Sequence, residues 1–252
     1  PVIVTPFTLS GAMAPVTIAG AVMQQTAEAL AMIVLLQVIN PGTPVVYGSF
    51  TSNVDMSSGA PAFGTPEYLR ATQMSGQMAR FYDLPFRASN ACAANCPDSQ
   101  SAWESAFSLW ACVSSGVNIV YHGAGWMEGG LCASYEKFVI DCETVQQIIQ
   151  YMQPATANED DLAFDAIQEV GPNGNFFSAT HTMERYEKAF YQPFLSDLRN
   201  FETWEEGGSI ATPERANKLW KQILKEYEAP PLDEAVREEL EALSLIFRLG
   251  IY

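Results

Sequence analysis

The chain has 252 residues, 48% of them hydrophobic and 17% charged, which is enough apolar content for a folded protein with a sizeable core. With 13 Lys and Arg against 29 Asp and Glu, its formal net charge is −16. That excludes nucleic acid or an anionic membrane as the main partner, since both require a basic face. A cationic small molecule or a basic protein is compatible, and an acidic surface serving only solubility is the plainer reading.

In chain order, Val2 to Thr5 reads as a strand, and Phe7 to Thr17 as a loop of small residues. From Val16 to Ile39 one long helix is expected, dense in Ala, Leu and Met. It is apolar nearly all round, so burial on most sides is expected. Asn40-Pro41-Gly42 ends it. Pro44 to Ser49 is the second strand, and the stretch FTSNVDMSSGAPAFG is too long for a plain connector. Thr65-Pro66-Glu67 has the composition of a helix start, running to about Tyr82.

The third strand is Leu84 to Ser89, with Pro85 confined to its beginning. After the loop Asn90 to Cys96, Pro97-Asp98 opens a helix to about Ser115, with Trp103, Phe107 and Trp110 near one face. Gly116 closes it. Asn118 to Tyr121 is the fourth strand, opening at His122 into a glycine-rich loop; Ala133 to Met152 is the following helix. Beyond Pro154 strand signals vanish and short helices are expected: Asp160 to Val170, Thr182 to Phe190, Pro213 to Glu228, capped by Thr212, and Asp233 to Phe247.

The β-loop-helix unit repeats at roughly 35–45 residues, the layout of a barrel rather than a solenoid. The expected fold is α/β: the later half of a TIM-type (β/α)8 barrel over residues 1–154, with a helical extension over 155–252 packed on it. In such a fold chemistry is built at the C-terminal ends of the strands.

Familiar cofactor motifs are absent: Gly123, Gly125, Gly129 and Gly130 do not fit a dinucleotide fingerprint, and there is no phosphate-binding loop. Cys92 and Cys96 form a lone CxxxC with no partner pair, which is weak as a metal signal. Five cysteines and no basic segment at the start point to reduced, cytoplasmic thiols. The apolar stretch Ala27 to Ile39 carries Glu28 and Gln37 and is too short to span a bilayer. The start at Pro1, running straight into VIV, suggests the later part of a longer protein. Such a piece is expected to be less stable than an intact barrel, or to self-associate into a homo-oligomer through its open edge.

His122 stands at the expected lip and is one of only 2 histidines. A structural histidine is the plain alternative. His181 would line the same mouth only if the extension folds over it. Glu128 and Asp98 follow the fourth and third strands; each is either a helix N-terminal charge or a partner for a cation. Tyr47, Phe50, Phe63, Tyr121 and Trp126 recur at or beyond strand ends. They either seal the mouth or form a cage holding a quaternary ammonium by cation–π attraction of ~0.5–2 kcal/mol per ring.

Four blocks together, GAMAPVTIAGAVMQQTAEALA, GTPVVYGSFTSNVDMSSGAPAFGTPEY, NCPDSQSAWES and YHGAGWMEGGL, resemble the trimethylamine methyltransferase (MttB) family of corrinoid-dependent methyltransferases. The likeness spans Ser10 to Asp141, with a weaker echo at THTMERYEKAFYQP. It implies a β/α barrel that moves a methyl group from a methylated amine to the cobalt of a corrinoid (cobalamin) carried by a partner corrinoid protein. Family chains are about twice as long. The archaeal trimethylamine enzymes carry pyrrolysine, expected near Asn90 to Cys96, where this chain has ordinary residues. The resemblance is therefore to the non-pyrrolysine branch, acting on quaternary amines such as glycine betaine. For such a reaction the residues at the strand ends supply the candidates: His122 and Glu128 as catalytic, with His122 either approaching the cobalt or orienting a substrate carboxylate, and Tyr47, Phe50, Tyr121, Trp126, Asp98 and His181 as substrate-binding. The competing reading is a non-catalytic quaternary-amine-binding or assembly subunit.

Overall fold

The computed structural model describes residues 1–249, with side chains to 245. Four strands form one sheet: β1 (Val2–Val4), β3 (Val45–Gly48), β6 (Phe86–Ser89) and β7 (Ile119–Tyr121). All three pairings are parallel, in the order β1-β3-β6-β7. Each parallel step requires a crossover. These are α1 (Ile18–Ile39), α2 (Pro66–Phe81) and α3 (Ser99–Ser114). Because spatial order follows chain order without reversal, right-handed crossovers lay the helices on one face. The result is a mixed α/β architecture compatible with part of a (β/α) barrel.

Local chemistry places these elements. Thr65 accepts from the Tyr68 amide at the start of α2, with Pro66 in its first turn. Asp98 does the same for α3 through the Ser101 amide. Ser134 caps α4 (Tyr135–Tyr151) through Lys137. At Gly116 the chain turns with φ +71°, conformational space that glycine enters freely.

The core lies between sheet and helices. Val4, Tyr47, Phe86 and Ala88 meet Ala29 of α1, Ala79 of α2 and Cys112 of α3. Within it, Gln25 of α1 is fully buried and bonds Tyr47, Ser49, Ser75 and Thr51. A buried amide satisfied on all sides fixes the helix's rotation.

Two expectations for α1 are corrected. Only its Ala21, Val22, Gln25, Thr26 and Ala29 face is buried. Met23, Val34, Val38 and Ile39 are 60–74% exposed, so the helix is covered on one side, not on most. At 22 residues it is also long and apolar enough to cross a membrane by length and composition alone. The apolar run is longer than Ala27 to Ile39 because small residues upstream extend it, and only 22% of that window is buried.

The long loop after β3 is structured. Its β4 (Ser52–Val54) pairs parallel with β2 (Leu9–Ser10) and antiparallel with β5 (Pro61–Ala62), a second, three-stranded sheet. Asp55 closes the hairpin by accepting from Ser57 and Ser58, which hold its carboxyl down at about 2. The glycine-rich lip folds as a hairpin of β8 (Trp126–Met127) and β9 (Cys132–Ala133).

Past residue 154 the described elements are helical: α5 (Glu159–Leu162), α6 (Phe164–Val170), α7 (Thr180–Arg185), α8 (Phe201–Glu206), α9 (Thr212–Glu226) and α10 (Glu234–Leu249). The expected single helix over Asp160 to Val170 breaks at Ala163, which is left-handed. Thr212 is the first residue of α9 rather than its cap, which is Ala211. This region is tied to α4 by two carboxylates. Glu143 accepts from the Phe194 and Leu195 amides, both 3.1 Å, and Glu136 from Asn217 and Trp220. Leu195, Ala216 and Val139 form the small apolar core beneath.

Candidate functional site

At the C-terminal ends of β3, β6 and β7 the chain leaves a cavity of about 230 Å³. Phe50 follows β3, Asn90 and Ala91 follow β6, His122 follows β7, and Trp126, Gly129 and Gly130 come from the lip. His122 sits in an aromatic ring of neighbours: Tyr121 at 4.9 Å, Trp126 at 5.1 Å and Phe50 at 5.8 Å between centroids. Its backbone is left-handed, φ 54°, a conformation costly for a non-glycine residue and common where side chains are aimed at a site. Nδ1 lies 3.3 Å from Ser89 Oγ. Partial burial, and then the charge of Arg87, push the imidazole below its ordinary value, which favours the uncharged ring.

Two buried carboxylates set the walls. Glu104 of α3 accepts from the amides of Ala93 (2.8 Å) and Ala94 (3.0 Å) and so holds the loop after β6. Asp141 of α4 accepts from the Gly125 amide at 2.9 Å and pairs with Lys137, whose Nζ also donates to Ser105 at 2.6 Å. The two loops are joined directly: the Glu128 amide donates to Ala94 O and the Gly129 amide to Cys92 O, both 2.9 Å. Gly129 is needed there, because an added Cβ would stand 3.0 Å from the Phe63 ring at φ 62°. The Asn90 amide nitrogen donates to Gly123 O at 3.2 Å, while its Oδ1 is buried without a partner.

Arg87 lies behind the mouth, outside the cavity's lining. Only 6% exposed, it lies 4.5 Å from the Tyr121 ring centre and 5.7 Å from that of Phe50. Among the described residues the guanidinium makes one hydrogen bond, a 3.3 Å contact from Nη1 to Ser49 O. No carboxylate among the described residues pairs with it.

His122, Trp126 and Phe50 come together as the sequence suggests; Tyr121 borders them, with a ring face already covered by Arg87. The other four expected site residues are elsewhere. Tyr47 is fully buried on the helix side of the sheet, its hydroxyl bonded to Gln25 (2.8 Å) and Thr26 (2.9 Å). Alternation explains this: Tyr47 pairs with Phe86, whereas the open face belongs to the register of Gly48, Arg87 and Ile119. Asp98 is spent on capping α3, accepting also from Cys96 Sγ at 3.2 Å. Asp98→Ala is therefore expected to lower the thermal midpoint slightly with ligand binding unchanged; loss of binding at full stability would return it to the site. Glu128 is exposed on the rim at φ 50° and does not line the cavity. His181 borders a separate depression with Asp160 and Arg185, its Nε2 3.1 Å from Asp160 O.

Sequence reasoning missed Arg87, Asn90, Glu104, Lys137 and Asp141. An arginine inside the strand-like LPFRAS was the available signal. Lys137 and Asp141, spaced i, i+4, look like an ordinary solvated helix pair. Two thiols are quiet: burial raises Cys92 to about 11 and Cys112 to about 12. Cys92 is buried and Cys96 exposed, and no cluster of three or more metal-ligating side chains occurs among the described residues.

Comparison with known proteins adds a second line. The family model for trimethylamine methyltransferase (MTTB) matches residues 1–245. A glycine betaine methyltransferase of Desulfitobacterium hafniense (strain Y51) is 40% identical over 242 residues, 96% of this chain and 50% of that protein. The trimethylamine methyltransferase MttB2 of Methanosarcina mazei is 33% identical over 244 residues, 96% of this chain and 49% of the relative. The chain thus spans about half the length of the curated relatives it matches.

Proposed function

The chain belongs to the trimethylamine methyltransferase (MttB) family, and on that premise we propose that it forms the amine-binding mouth of a corrinoid-dependent methyltransferase. In this reading residues 1–154 are later units of a (β/α)8 barrel and 155–252 a helical extension packed on them. The substrate is a small quaternary methylamine of the glycine betaine kind, preferred over trimethylamine. The partner is a corrinoid protein, and the setting is cytoplasmic.

The corrinoid, held by the partner, supplies a strongly nucleophilic Co(I) as methyl acceptor. The rim suits approach by such a bulky group, since Gly123 has open space where a side chain would stand. The chain's own residues bind and orient. Trp126, His122 and Phe50 surround the methylated nitrogen, and burial and Arg87 disfavour a charge on His122 that would oppose it. The buried Asn90 Oδ1, without a partner at the cavity wall, adds a partial negative charge near the cation and asks for no proton in return. A quaternary nitrogen leaves as a neutral amine, keeping the C–N electron pair, so no general acid is needed. Fixing the reacting methyl removes translational and rotational freedom worth up to ~7–11 kcal/mol of the barrier.

The observation that carries this reading is the aromatic cavity around His122 at the carboxyl ends of a parallel sheet, in a chain of this family. The test mixes the full-length protein with a cobalt(I) corrinoid protein and glycine betaine and measures dimethylglycine. Binding of betaine without any dimethylglycine would favour a non-catalytic binding subunit. Equal turnover of trimethylamine and glycine betaine would refute the preference. Trp126→Ala is expected to lower kcat/KM by about 5- to 30-fold, ~1–2 kcal/mol, with docking of the partner unchanged. An unaffected variant would remove Trp126 from the cavity's function.

A further inference from the structure

We propose that Arg87 sets the specificity of the mouth: its buried guanidinium binds the carboxylate of a zwitterionic amine and turns away an ammonium that lacks one. This rests on the reading of the mouth as the amine site. Arg87 lies in β6 in register with Gly48 on one side and Ile119 on the other. Gly48 brings no side chain to that face, and the place of its missing Cβ is taken by Thr5. It carries five N–H donors in a planar fork. One long contact to Ser49 O is all they receive from the described residues.

Its surroundings make that charge consequential. Phe50 is shared: it faces Arg87 at 5.7 Å and also lines the cavity. Tyr121 takes Arg87 at 4.5 Å and packs on His122. The guanidinium therefore stands one ring behind the space offered to the ligand. Burial weakens its hold on a proton, yet an arginine stays charged in proteins. A bare ammonium entering the cavity meets a like charge across aromatic, low-dielectric surroundings. Two of the rings that a cation cage needs are already engaged with a cation. A carboxylate a few bonds from the ammonium reverses the balance: with the Phe50 ring turned aside it pairs with the fork by charge-assisted hydrogen bonds and screens the nitrogen from Arg87. The mouth is thus suited to an amino-acid betaine and unsuited to a simple tetraalkylammonium ion.

Calorimetry on the full-length protein with three ligands of matched shape separates the two charges. Glycine betaine carries both, 3,3-dimethylbutanoate only the carboxylate, and choline only the cation. The wild type is expected to bind glycine betaine at least about tenfold more tightly than choline. In Arg87→Met betaine binding should fall about 30- to 100-fold and dimethylbutanoate binding should vanish, while choline binding holds or strengthens. Arg87→Lys should lie between, since it keeps the charge and loses the fork; it also serves if the Met variant fails to fold. Equal loss of betaine and choline in a variant that still folds would make Arg87 a structural residue and overturn the proposal. So would dimethylbutanoate binding equally to wild type and variant, as expected if an acid from elsewhere in the full-length protein already occupies the fork. The outcomes are separable from the function itself. Dimethylglycine formation that survives Arg87→Met at unchanged KM sinks the carboxylate clamp alone. Carboxylate-dependent binding without any methyl transfer sinks the methyltransferase reading alone.

Discussion

Asp141→Ala is expected to destabilise the protein by about 3–5 kcal/mol, read from urea unfolding, because it strands a buried lysine. Lys137 and Asp141 are both fully buried. Burial pushes the Asp141 carboxyl up, and Lys137 only partly offsets it. With Asp141 gone, the Lys137 ammonium keeps a single partner among the described residues, Ser105. The Gly125 amide loses its acceptor as well, and Gly125 is next to Trp126 in the lip. Amine binding should therefore weaken in whatever fraction still folds. The double replacement Lys137→Met with Asp141→Leu separates the two effects. Removing both charges should restore most of the stability, as apolar pairs of similar volume do. It cannot restore the acceptor for Gly125, so binding should stay impaired. A loss under about 1 kcal/mol for Asp141→Ala would place the pair in solvent-like surroundings, and full binding in the double variant would dismiss the anchoring role.

Periodicity and capping made the sheet legible. The four strand-like runs, the Thr65 and Asp98 starts and the Gly116 stop all correspond to observed elements. His122 was legible for a related reason: a histidine between a β-branched run and a glycine loop has few places to go other than a strand end. What the sequence hid was direction. A strand tells that residues alternate, not which set faces the helices, so Tyr47 and Arg87 were assigned to the wrong faces or to none. The supporting carboxylates were hidden because burial of Glu104, Asp141 and Glu143 depends on loop amides and helices distant in sequence. The β4–β5 hairpin escaped because its strands are only 3 and 2 residues long and read as loop composition. In the C-terminal region α8 was missed, a 6-residue helix started by Asn200 without an apolar period to announce it.

Tyr47→Ala should cost about 3–5 kcal/mol, as emptying a large buried aromatic site does. The ring packs against Phe86 at 6.1 Å in the main core, and no part of it reaches solvent. Tyr47→Phe isolates the hydroxyl. That oxygen accepts from Gln25 Nε2 and donates to Thr26 Oγ1, whose own proton goes to Val22 O, in a network that continues to Ser49 and Ser75. Losing it leaves the Gln25 amide with Ser75 as its remaining acceptor, and about 1–3 kcal/mol is expected. Neither change should alter which amine is preferred, since the ring and the cavity lie on opposite faces of the sheet. Thermal or urea unfolding measures the first effect, and the betaine-to-choline affinity ratio measures the second. A Tyr47→Phe variant that keeps its stability while the ratio shifts would put the hydroxyl back in the mouth and would mean that α1 and β3 pack with a different register.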